Sequence, residues 1–161
     1  MTDNPITPGT PDDGSGYFQY LAQERAYAER AEALRPANKA ALFNALARAG
    51  ITSVLVRFDG EGDSGQIEEI DALCGEAPAE LPSGEIEIAE PVWGSPEIKH
   101  VTLSVRDAIE TLAFNLLEET HGGWENGEGA YGDFTFDVAA RSITLVYNER
   151  RVETDYSEHV F

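Results

Sequence analysis

Residues 58–74, "FDGEGDSGQIEEIDALC", decide the fold, because their apolar residues satisfy two different periods. Ile67, Ile70 and Leu73 suit one face of a helix, whereas Ile70, Ala72 and Cys74 suit one face of a strand. The glycine-rich turn in front of them can return the chain along the preceding "ITSVLVRF" (51–58), itself an alternating strand. A β-hairpin is therefore expected, and with it an antiparallel sheet.

Working outward, residues 1–16 are a series of Pro, Gly, Thr and Asp and read as a mobile tail. "YFQYLAQERAYAERAEAL" (17–34) places Tyr20, Tyr27, Ala31 and Leu34 on one stripe and predicts an amphipathic helix, peripheral to the rest. Arg35-Pro36 should break it. A second helix, "ANKAALFNALARAG", groups Leu42, Phe43 and Leu46 and ends at Gly50, suited to a left-handed cap. In "GEIEIAEPVW" (84–93), Ile86 and Ile88 oppose Glu85 and Glu87, the pattern of a half-buried strand. Val105, Ile109, Leu112 and Leu116 then form a helical stripe, opened by Ser104 with Asp107 and stopped by Gly122-Gly123. "GDFTFDV" and "SITLVYN", joined by "AARS", read as an antiparallel hairpin. The expectation is an α+β fold over 17–161 as a single domain. A largely antiparallel sheet of about five strands is packed by helices, in the order α-α-β-β-β-α-β-β.

Charge is distributed unevenly. The formal net charge is −19, yet residues 1–58 hold six acids and six bases and are neutral. Residues 59–90 alone hold eleven acids and no base. Such a surface disfavours nucleic acid and anionic membranes as direct partners and favours a basic surface of another protein. No apolar run approaches the roughly 20 residues of a membrane span. The N-terminus lacks the basic and apolar regions of a signal peptide, and Cys74 is the only cysteine, so a cytoplasmic protein is expected.

Asp59, Glu61 and Asp63 occupy positions 1, 3 and 5 of a calcium loop, and are the candidate metal ligands. The register then fails. Ser64 stands where glycine is required and Ile70 where the bidentate glutamate is required, so the glycines are adequately explained as turn residues and no cofactor is expected. In "EETHGGWENGEGAYGDF" (118–134), His121 has no second histidine near it and reads as a residue of the last helical turn. Glu118 and Glu119 stand at the same helix terminus, where each negative charge costs about 0.3–1 kcal/mol. No nucleophile elbow or phosphate loop is present in the sequence, so no catalytic residue is nominated.

Together "FDGEGDSGQIEEI" and "HGGWENGEGAYGDFTFDVAARSITLVYNER" resemble a bacterial family known only as a domain of unknown function, over about residues 36–161. The resemblance implies a small acidic protein frequent in proteobacteria and on mobile elements, and carries no catalytic residue. By analogy with other small acidic proteins of such elements, it implies an inhibitor of host restriction or CRISPR systems. The expected function is a non-enzymatic acidic interaction protein, in its sharpest form a nucleic-acid mimic. Its partner-binding residues are Asp59, Glu61, Asp63, Glu68, Glu69, Glu85 and Glu87, with Glu118, Glu119, Glu125 and Glu128 as a second patch. Carboxylates on alternate residues of two adjacent strands would give one charge per roughly 3.3 Å, against one per about 1.7 Å of duplex DNA. The alternatives are a divalent-metal-binding protein, and an accessory module that docks through Tyr17, Phe18, Tyr20 and Tyr27.

Overall fold

A computed structural model describes residues 15–161. The expected tail lies outside the described residues except for Ser15 and Gly16, which open α1 (Ser15–Arg48). Next come β1 (Ser53–Glu61), β2 (Ser64–Cys74), β3 (Ala77–Ala79), β4 (Glu85–Pro91) and β5 (Ile98–Ser104). They are followed by α2 (Val105–Thr120), β6 (Ala130–Asp137) and β7 (Ser142–Glu149). The fold is α+β, with a five-stranded antiparallel sheet ordered β3-β2-β1-β6-β7 and a two-stranded sheet of β4 and β5. The described residues form two compact units: residues 40–86 with 102–161, and residues 15–39 with 87–101.

The larger unit carries the five-stranded sheet. Val54, Val56 and Phe58 of β1 and Phe134 and Phe136 of β6 alternate onto its buried face. Residues 64–74 are a strand, and the helix-like spacing of Ile67 and Ile70 has a specific cause. Ile67 faces Phe58, Ile70 faces Val56, and Glu69 faces Arg57, so Glu68 is the extra residue of a β-bulge. The bulge turns a period of two into a step of three. Facing this layer, Phe43 of α1 lies 6.1 Å from Phe136, ring to ring. α2 buries Val105, Ala108, Ile109, Leu112, Ala113 and Leu117, each leucine contributing about 1.5–3 kcal/mol. Ser104 caps α2 as expected, its hydroxyl accepting from Asp107 N–H at 3.1 Å. Gly50 (φ 77°) closes α1 with the paired bonds of a Schellman motif, Gly50 N–H to Ala47 O and Ile51 N–H to Leu46 O, each 3.0 Å.

In the smaller unit the expected break at Arg35-Pro36 does not occur: α1 runs through Pro36. An interior proline removes one helical hydrogen bond and costs about 3 kcal/mol. Contacts on both sides of it hold the helical path. Tyr20 and Tyr27 flank Trp93, with ring centroids at 5.8 and 5.5 Å, and Arg30 Nη2 donates to Val92 O at 3.2 Å. Beyond the proline, Asn38 reads the Ala89 peptide as a neighbouring strand would. Its Nδ2 donates to Ala89 O at 2.9 Å, and its Oδ1 accepts from Ala89 N–H at 2.8 Å. The strand expected at 84–93 forms as β4, but its partner is β5, not the five-stranded sheet. β5 itself was not legible: "IKHVTLS" carries Lys99 and His100 in mid-strand and has no buried residue.

The glycine-rich acidic corner as candidate functional site

The two glycine-rich stretches, distant in sequence, meet at one end of the larger unit. Gly60 and Gly65 are cross-strand partners in β1 and β2, and the indole of Trp124 lies on them. A Cβ on Gly60 would come within 2.5 Å of Trp124 Cζ3, and one on Gly65 within 2.4 Å of Cη2. Both glycines are therefore required by close approach rather than by turn geometry. Phe58 meets the indole edge-on at 5.4 Å and Phe114 lies 6.4 Å away, leaving Trp124 only 4% exposed. Gly62 N–H donates to Gly127 O at 3.2 Å, tying the β1–β2 turn to the 121–129 loop. A Cβ on Gly129 would sit 1.8 Å from Gly60 O, so the loop passes directly against β1.

Arg150 locks this corner from the other side. Its Nη1 donates to Gly60 O at 3.0 Å, its Nη2 reaches Asp59 at 3.0 Å, and its guanidinium lies 4.8 Å from the Tyr131 ring centre. Asp59, offered above as a calcium ligand, is thus engaged by a cation of its own chain. Asp59, Glu61 and Asp63 are not assembled as ligands, and no group of three or more His, Cys, Asp or Glu suited to a metal occurs among the described residues.

Of the expected binding residues, the fold brings Glu61, Asp63, Glu125 and Glu128 to this corner. Glu61 and Asp63 flank the hydrogen-bonded turn, and Glu125 follows Trp124 with its Cα against Gly60. Glu125 Oε2 is enclosed, with no hydrogen-bond partner among the described residues. Glu118 and Glu119 are exposed in the last turn of α2, which leads into the loop through His121, the helix C-cap. The remaining residues are placed elsewhere. Glu68 is the bulge residue and accepts from Gln66 Nε2 at 2.8 Å, while Glu69 pairs with Arg57 at 2.8 Å. Glu85 and Glu87 are exposed on β4, in the other sheet, with Glu87 3.0 Å from His100 Nδ1.

Three corner residues escaped sequence reasoning: Tyr147, Glu149 and Arg150. His121 stacks on Tyr147 with ring centres 3.6 Å apart. Burial first, then the charges of Glu149 and Glu125, hold the Tyr147 phenol above its ordinary value of 10.0. The available signal was Arg150, a base ending the second glycine-rich stretch in a region otherwise dominated by acids.

Both stretches are accounted for by one packing arrangement. The chain belongs to DUF6878, a family of unknown function, which matches residues 34–161. Every residue of the corner lies inside the DUF6878 match, whereas Tyr20, Tyr27 and Arg30 of α1 lie before it. No curated protein and no solved structure matches the chain. No described helix is long and apolar enough to cross a membrane.

Proposed function

We propose that this protein is a binding module whose acidic corner engages a basic surface on a partner protein. One observation carries the reading. Two separate sequence stretches that carry acids (Glu61 and Asp63 on one, Glu125 and Glu128 on the other) are held together in their backbone by a tryptophan seated on paired glycines and by the Gly62–Gly127 hydrogen bond. A preorganised anionic surface loses little side-chain and loop freedom on docking, and its charge accelerates encounter with a cationic partner.

The sharper form is a nucleic-acid mimic that occupies the groove of a DNA-binding or host-defence protein. The outward sheet face supports it only in part. Glu69, Asp71, Asp133 and Asp137 line that face, but Arg57 lies between Glu69 and Asp133. The general reading therefore stands ahead of the specific one.

Affinity capture from cell extract, with wild type and the Glu61→Lys/Asp63→Lys/Glu128→Lys variant, tests it. A protein retained at low salt, released as ionic strength rises and missing from the variant supports the corner as the docking surface. Retention indifferent to salt and to the triple change would sink it. Displacement of that partner by duplex DNA would sharpen the reading to mimicry.

A further inference from the structure

The two edges of the five-stranded sheet are guarded very differently. β3 is three residues long and contains Pro78, a typical blunt edge. β7 has eight residues, no proline, and a single charge, Glu149, at its end. Among the described residues no strand pairs beyond it. Val146 is 51% exposed, and Ile143, Leu145 and Tyr147 are half-buried.

The ladder to β6 settles which groups point outward. Arg150 N–H donates to Gly129 O, in phase with the pairing of Asn148 to Tyr131 and Val146 to Asp133, so even-numbered residues of β7 bond to β6. The N–H and C=O groups of Ile143, Leu145 and Tyr147 therefore face away from the sheet.

We propose that this edge pairs with the β7 of a second copy of the chain. The pairing is antiparallel about a twofold axis at Leu145 and makes one continuous sheet. In that register Leu145 opposes Leu145 of the second copy and Ile143 opposes Tyr147, so outward-facing groups meet and form about six main-chain hydrogen bonds. The apolar residues of the core face align with one another, and Thr144 meets Val146 on the other face. Charge selects this register over its neighbours. Arg141, the left-handed turn residue (φ 53°) just before β7, comes beside Glu149 of the other copy at both ends, whereas a shift of the axis to Val146 would bring Arg141 towards Arg151, and a shift to Thr144 would bring Glu149 towards Ala139. Both residues are exposed, Arg141 bonding through Nη2 to Asn44 Oδ1 and Glu149 lying 3.4 Å from Arg151, so each keeps capacity for a further partner. The net charge of −19 opposes association at long range, so dimerisation should strengthen as salt rises to physiological levels.

Sedimentation velocity over a wide concentration range tests the pairing. Wild type should pass from monomer to dimer. Arg141→Glu and Glu149→Arg should each weaken the dimer about tenfold or more by placing like charges opposite, and the double exchange should restore it. Leu145→Pro should abolish the dimer while keeping native circular dichroism, because it deletes an outward N–H and no bond to β6. Should Arg141→Glu fail to fold, Glu149→Arg and Leu145→Pro carry the test. A monomer at the highest concentration, or a dimer unmoved by these changes, overturns the proposal. Glu61, Asp63 and Glu128 are untouched throughout, so that result leaves the acidic-corner reading standing.

Discussion

The chain has two tryptophans, and their surroundings differ. Trp124 is 4% exposed on a floor of two glycines, whereas Trp93 is 45% exposed and is flanked by two tyrosines. Trp124 is located by a gap in the backbone that admits nothing larger than a hydrogen at Gly60 and Gly65. Trp93 is located by ring contacts with the stripe of α1, which adjustable side chains supply. The first arrangement is rigid and intolerant of substitution; the second tolerates it.

Replacing Trp124 with Ala should break that contrast most severely, lowering stability to urea unfolding by about 3–5 kcal/mol. Filling the floor from the other side, Gly65→Ala should cost about 1–3 kcal/mol by overpacking, since the indole must shift. An unchanged urea midpoint for either variant would contradict the packing described.

On the side of Trp93, Asn38→Ala should cost about 1–2 kcal/mol, because the Ala89 N–H and C=O both lose their partner. Trp93→Ala should cost less, about 1 kcal/mol, the usual worth of aromatic pair contacts at a half-exposed site. Iodide quenching sharpens the comparison. Trp93→Phe should leave a single emitter shielded from quencher, while Trp124→Phe should leave an accessible one.

The smallest effect concerns Tyr147. Its phenol is raised above 10.0 in the folded chain by burial and by Glu149 and Glu125. The unfolded chain therefore ionises first, so this stabilisation is complete below pH 10 and is lost as pH rises through the folded value. Urea unfolding from neutral pH upward should fall more steeply above pH 10 for wild type than for Tyr147→Phe. Equal slopes would mean that neither burial nor the charges of Glu149 and Glu125 raise this phenol.

Much of the sheet was legible because its strands alternate with period two, a consequence of burying one face. Residues 66–74 were ambiguous for a definite reason. The bulge at Glu68 inserts one residue and imitates helical spacing, and bulges follow from pairing partners that lie elsewhere in the chain. Pro36 misled for the converse reason. Proline disfavours a helix interior by a local amount, and Arg30, Tyr27 and Asn38 oppose it through Val92, Trp93 and Ala89, which are more than fifty positions away.

Taken alone, the amino-acid order determined the α+β class, the caps of α2 and α1, and the confinement of net negative charge to residues 59–161, since each depends on neighbours a few positions apart. Folding decided which acids stand together: it gathered Glu61, Asp63, Glu125 and Glu128, gave Asp59 to Arg150 and Glu69 to Arg57, and carried Glu85 and Glu87 to another sheet. Coulomb interactions depend on distance through space, and that distance is set by strand order and by an indole lying on two glycines.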